Sequence, residues 1–252
     1  MRREAAVDGW QPVEELTQWG FAHSPVVMAN EAHDGLRRCV RTRQVGARMV
    51  QAAHEAGVRR LAMEALPWQP GGAPGPIREI PPVVGGYLAQ PDMRTLMTTA
   101  LDLGWTLWAY DAVIAVPADH DPAEFLTLEF TNWREREQAR NLCQVLAVAP
   151  GEPLLVWSGN SHAAKETSGD GWVPMGCHFP GLSGIDPFVV DQTVTVDFEH
   201  GRRSWVQELL DALAETLAAC GGTAGILTGQ APPPLDGYPA DAVVVSTDNA
   251  LS

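Results

Sequence analysis

The chain has 252 residues, 45% of them apolar, and carries 17 basic against 31 acidic side chains for a formal charge of −14. That length supports one sizeable core, and no apolar run approaches the ~20 residues of a membrane span. The acidity argues against nucleic acid and anionic membrane as partners, since both want a basic face.

Four scattered cysteines with no CxxC pair read as free thiols, not a zinc-thiolate site. The first ten residues hold two arginines but no apolar segment after them, so they do not read as a secretory leader, and a cytoplasmic protein is expected. Nothing in the sequence sets an oligomeric state.

Taken in order, residues 1–24 place Trp10, Leu16 and Trp19 on a short amphipathic helix. Residues 25–28 form the first strand, which breaks into Asn30-Glu31-Ala32-His33-Asp34-Gly35. A helix follows over 36–56, with Gly57 at its left-handed C-terminal position. Residues 58–62 form the second strand, which runs into Glu64. The prolines and glycines of 67–90 rule out helix and central strand and mark a loop insert, expected to border the site as a lid.

Pro91 and Asp92 open a helix that reaches Leu103 and stops at Gly104. The third strand, 105–110, ends at Asp111. Asn132 and Glu135 have capping-box spacing ahead of a helix over 133–148. The fourth strand, 154–158, breaks into Gly159-Asn160-Ser161-His162. Alternation over 188–198 predicts a half-buried strand, residues 204–220 a helix, and 225–227 and 242–245 the last strands. There is no internal repeat and no boundary. The reading is a single α/β domain over 1–252 with a mostly parallel central sheet and helices on both faces.

Four of these strands end on an acid or a histidine: Glu31 with His33, Glu64, Asp111 and His162. Ligands of open α/β sheets bind at that edge. Histidines and carboxylates gathered there can hold a divalent metal and activate its water. They can equally act without metal, one imidazole serving as general base beside a carboxylate while an arginine stabilises the oxyanion.

The run Arg37, Arg38, Arg41, Arg43 and Arg48 supplies guanidinium groups near the first strand end. A cation-rich edge favours the metal-free alternative, in which His33 is the base, Glu31 or Glu64 charges it, and His162 with Arg134 binds the oxyanion. A metal, were there one, would use His33, His162, Glu31 and Glu64. Candidate substrate contacts are Arg37, Arg43, Tyr87, Asp92, Asp111, His178 and Lys165. No GxSxG elbow, P-loop or GxGxxG opens a helix.

The segments NEAHDG, MEAL, REREQARNL, LLVWSGNSHAAK and VPMGCHF resemble, in that order, the pattern of the erythromycin esterase/ChaN-like superfamily, which also takes in the TIKI/TraB proteases. Its Gly-x-x-His appears as Asn30–His33 with Asn for the glycine, and again, intact, as Gly159–His162. Its Glu corresponds to Glu64, and its Arg-acid-x-x-x-Ala-x-Asn helix to Arg134, Glu135, Ala139 and Asn141. Esterase-type members imply a hydrolase that opens an ester, lactone or similar acyl bond of a small molecule through a His/Glu centre, in a setting such as secondary metabolism. TIKI-type members imply a peptidase dependent on Mn, Zn or Fe. ChaN-type members imply haem binding, with Tyr87 or His178 as candidate axial ligand.

Overall fold

The computed structural model describes residues 9–32, 36–64, 66–67, 74–82, 87–112, 127–194, 204–233, 235–236 and 238–247. Eight strands occur among them: β1 (Gln11–Pro12), β2 (Val26–Glu31), β3 (Arg60–Met63), β4 (Thr106–Ala109), β5 (Leu154–Gly159), β6 (Phe188–Asp191), β7 (Thr223–Leu227) and β8 (Ala242–Ser246). They alternate with α1 (Val13–His23), α2 (Leu36–Glu55), α3 (Pro91–Asp102), α4 (Leu128–Val148), α5 (Met175–Ser183), α6 (Ser204–Ala212) and α7 (Ala214–Ala219).

The strands make one sheet in the order β1-β7-β8-β6-β2-β5-β3-β4. All neighbours from β8 to β4 are parallel, and β7 and β1 add an antiparallel margin. This is the mostly parallel α/β sheet expected from the alternation of apolar runs and helical stripes. β5 pairs with β2 on one side and β3 on the other, so the chain fills the gap between two strands laid down much earlier. That reversal gathers the ends of β2, β3 and β5 at one place on the edge.

Helices cover both faces. Val27, Leu61, Leu107 and Leu155 face a core shared with Val13, Met49 and Leu96 of α1, α2 and α3. Alternate residues, Met28, Ala62 and Val156, face Leu142, Val145 and Phe179 of α4 and α5. Strands buried on both sides read as continuous apolar runs, the reason these were visible in sequence.

Several elements differ from expectation. β2 continues through Asn30 and Glu31, both buried, because Gln192 donates from its backbone N–H to Asn30 Oδ1 (2.8 Å) and from Nε2 to the Asn30 carbonyl (2.5 Å). α4 starts five residues earlier than expected, at Leu128. Thr127 is its cap, accepting from the Phe130 N–H, and Asn132 instead holds Gly171 and Val173. The strand expected over 188–198 is four fully buried residues, and 195–200 lie outside the described residues. The helix expected over 204–220 breaks at Leu213.

α5 was not expected, its glycines and Pro180 having masked it. Inside the loop insert, Ile77 exchanges both backbone hydrogen bonds with Leu107 and so extends the β4 edge. A residue of that loop is therefore strand-paired, though at an edge, where proline-rich chain is tolerated.

Candidate functional site

The turn after β5 builds the centre of the site. Asn160 adopts a left-handed φ of 38°, a conformation asparagine tolerates, and its N–H donates to the Glu31 carbonyl at 2.6 Å. The chain then folds back so that His162 meets α4 and α5. There is no room for a side chain at Gly176, where a Cβ would lie 2.2 Å from the Ala163 carbonyl oxygen; its N–H donates to the His162 carbonyl at 2.9 Å.

His162 is fixed from behind by Glu135, which is fully buried. The Nδ1–H donates to Glu135 Oε1 at 2.5 Å, and the Met175 N–H donates to Oε2 at 2.8 Å. A carboxylate only accepts, so the proton belongs on Nδ1 and the neutral ring presents Nε2 as its acceptor. Nε2 lies 3.7 Å from Glu64 Oε1, close enough for the charge to act and beyond direct hydrogen bonding.

Glu64 is the hinge of the electrostatics. Arg134 Nη2 donates to Oε1 at 2.5 Å and the Gly159 N–H to Oε2 at 2.8 Å. Arg134 also grips Asp111 with two bonds of 3.0 Å; Gln138 donates to Asp111 at 2.8 Å, and Asn141 donates to the carbonyls of Tyr110 and Asp111. Burial alone would raise the Glu64 pKa, but His162, Arg134 and the Gly159 amide outweigh it and hold it down to about 2. Burial would likewise lower the His162 pKa, but the Glu135 bond and the Glu64 charge outweigh that and hold it above the ordinary histidine value. The ring therefore stands between two carboxylates that stabilise its protonated form.

A second ionic group stands on the β2 side. Glu31 accepts two bonds from Arg43, at 2.6 and 2.8 Å, and one from Trp157 Nε1 at 2.9 Å. Arg43 also binds Asp92 at 2.7 Å and Gln90 at the start of α3, and its side chain is 0% exposed. Trp157 reaches Glu31 across α2 at Gly46, where a Cβ would lie 2.4 Å from the ring. Arg43 thus braces α2, α3 and β2 from an enclosed position, where the sequence reading placed it as a substrate contact.

Between the two groups is a cavity of about 120 Å³ lined by Glu31, Glu64, Tyr87, Met93, Asp111, Arg134, Trp157, Ser158 and Gly159. Tyr87 brings the end of the loop insert to this wall; residues 68–73 and 83–86 of the insert lie outside the described residues. So do His33 and the side chains of Arg37, Arg38 and Cys39. On the far side of His162, its neighbours Ser161 and Ala163, with Trp172 edge-on to the imidazole at 5.8 Å, line a second cavity of about 220 Å³.

Two expected contacts are elsewhere. Lys165 follows His162 by three residues, yet its Nζ pairs with Asp186 and Asp241, both at 2.8 Å, near the opposite ends of the strands. There it lines a hollow of about 520 Å³ with Trp19, His23 and Phe188. His178 is on α5 with its Nε2 buried, and burial and the charge of Arg136 lower its pKa. Conversely, Glu135 was read only as a cap and a motif residue, and Trp157 only as strand. Glu135 opens a stripe with Gln138, Ala139, Leu142 and Val145, all buried, at helical spacing. That stripe was the available signal that its carboxylate points inward.

The described residues do not fit a divalent metal. Glu31 and Glu64 already spend their oxygens on guanidinium, indole and amide donors, and His162 spends Nδ1 on Glu135. Among the described residues, no three His, Cys, Asp or Glu side chains converge with ligand spacing.

No family model matches the sequence, and no curated protein sequence does. Among solved structures, ChaN of Campylobacter jejuni, described for cofacial haem binding, aligns over 95% of this chain and 96% of its own, with a TM-score of 0.50 at 10% identity. What the two share is the fold. A bacterial protein toxin aligns at a TM-score of 0.47 and 15% identity over 76% of this chain, and this chain covers 38% of the toxin's. RRSP, a MARTX toxin effector domain from Vibrio vulnificus CMCP6, aligns at a TM-score of 0.43 and 16% identity, with 76% and 37% covered. The chain therefore spans under half the length of these toxin chains.

Proposed function

We propose that the chain is a hydrolase-like enzyme that opens an ester, lactone or similar acyl bond of a small molecule, with His162 as the group that moves the proton. The observation carrying this reading is the His162 ring, fixed at Nδ1 by a buried carboxylate and leaving Nε2 beside the Glu64–Arg134 pair. Sequence reading puts the base at His33; the oriented imidazole favours His162.

The chemistry follows from the charges. Neutral His162 takes a proton from water at Nε2 while the water oxygen adds to the acyl carbon. The imidazolium so formed is held by Glu135 and Glu64. Arg134, part-exposed at the cavity, places positive charge near the developing oxyanion. As the acyl C–O bond breaks, the same proton passes from Nε2 to the leaving alkoxide. Glu64, held near a pKa of about 2, is too weak a base to compete for that proton and acts through its charge.

The test is a panel of p-nitrophenyl esters and small lactones, assayed with the wild type and His162→Gln. Hydrolysis lost by a factor of about 10²–10⁴ in a folded variant supports the assignment. Hydrolysis unchanged by the substitution defeats it. The second reading, favoured by the fold shared with ChaN, is haem binding. The charged cavity is well under the ~300–1,000 Å³ of an enclosing ligand pocket, so a haem would have to lie outside it. A Soret band on hemin titration at sub-micromolar affinity would favour the binder.

A further inference from the structure

The second cavity on the same strand edge has a different chemistry. Its volume of about 220 Å³ lies at the ends of β2, β5 and β6, where Asn30, Ser161 and Asp191 contribute to its wall. At ~30 Å³ of liquid volume per water, that is space for roughly seven waters, enough for a compact ring. Two carboxylates line it, exposed Glu166 and buried Asp191, together with the rings of Trp172 and Tyr238. Among the described residues, no Arg, Lys or His lines it.

Asp191 accepts from the Thr193 N–H at 2.6 Å and from Thr193 Oγ1 at 2.9 Å, with the Asn30 side chain and the Val194 N–H as further donors, and no cation among the described residues pairs with it. Burial raises its pKa, the mark of a carboxylate lacking a counter-charge. Aromatic rings with carboxylates and no competing base are the chemistry that holds an ammonium group. The Trp172 ring forms part of the wall, while its Nε1 is buried without a hydrogen-bond partner.

We infer that this cavity binds a primary ammonium group carried on a compact skeleton, and that it is the subsite for the amine-bearing part of the substrate. Ser161 and Ala163 flank His162 in the chain and Trp172 packs edge-on against its ring, which sets the cavity next to the residue that holds the imidazole. The placing as a subsite rests on the proposed hydrolytic centre; the recognition of ammonium does not.

Cyclohexylammonium and cyclohexanol, similar in shape and different in charge, test this by calorimetry and saturation-transfer NMR on the full chain. The ammonium is expected to bind at least about tenfold more tightly, the worth of one charge-assisted hydrogen bond. Asp191→Asn is expected to shrink that preference to within about twofold. Thr167→Trp, at an exposed position on the wall, should abolish binding of both probes.

If Asp191→Asn fails to fold, Glu166→Gln on the exposed residue should still weaken the preference severalfold. Equal binding of the two probes, or ammonium binding that survives Thr167→Trp, overturns the inference. Ammonium selectivity without any ester or lactone hydrolysis would sink the hydrolytic reading alone. Hydrolysis without ammonium selectivity would sink this inference alone.

Discussion

Replacing Glu135 with glutamine keeps the volume of a fully buried side chain and removes its charge. The native carboxylate accepts from two donors, His162 Nδ1 and the Met175 N–H. A glutamine offers one acceptor oxygen and turns an NH₂ toward the other donor, so one buried donor loses its partner at a cost of ~1–3 kcal/mol. The imidazolium also loses its buried counter-charge, and breaking buried pairs of this kind costs ~3–5 kcal/mol. The two effects overlap, which leaves about 3 kcal/mol at pH 6. For a chain of this size that is a fall in melting temperature of roughly 6–12 °C.

The charge change has a second consequence. His162 is held above the ordinary histidine value chiefly by Glu135 once burial is overcome. Its contribution to stability is full below the unfolded value of ~6.5 and is lost as pH rises through the raised folded value. In Glu135→Gln that loss moves to lower pH, and so does the acid limb of kcat/KM for any activity that needs neutral His162. Urea unfolding from pH 5 to 9 and a pH–rate profile on the best ester substrate measure both. A variant within ~0.5 kcal/mol of wild type, the scatter of a neutral surface substitution, would refute the reasoning. So would an unmoved acid limb.

Three further outcomes are expected. Arg43→Met removes the buried guanidinium that Glu31 and Asp92 share and should cost ~3–5 kcal/mol in urea titrations; a loss under 1 kcal/mol would mean that water reaches both acids. Gly176→Ala drives a Cβ into the Ala163 carbonyl, which is backbone and cannot swing away, so it should cost ~1–3 kcal/mol with an unchanged m-value. Glu64 is depressed from 4.5 to about 2, so it contributes stability above its unfolded value that is lost as pH falls toward 2. At ~1.4 kcal/mol per pKa unit the loss is about 3 kcal/mol, and Glu64→Gln should flatten that part of the acid-unfolding curve.

The fold was largely legible because its strands are buried on both faces and its helices carry apolar stripes. Val26–Met28, Leu61–Met63 and Leu154–Trp157 announce themselves as unbroken apolar runs. What periodicity could not show was polarity buried by long-range partners. Asn30 and Glu31 complete β2 only because Gln192, Arg43 and Trp157 reach them from distant parts of the chain.

The candidate site was half legible for the same reason. Acids and histidines at strand ends pointed to Glu31, Glu64, Asp111 and His162, and the Arg-acid helix pointed to Arg134. Glu135 was misread because capping-box spacing from Asn132 offered a local explanation, whereas Thr127 caps the helix. Lys165 misled in the opposite sense. Nearness in sequence to His162 says nothing about where a four-carbon side chain ends, and its two aspartates draw it to the other edge of the sheet.

The central claim is that His162 carries its proton on Nδ1 against Glu135 and exchanges the other at Nε2. Long-range ¹H–¹⁵N spectra of the imidazole across a pH titration test it most directly. The account predicts that Nδ1 stays protonated throughout while Nε2 titrates with a midpoint above the ordinary ~6.5. A midpoint at or below that value, or a ring that gives up its Nδ1 proton and keeps the one on Nε2, would contradict it.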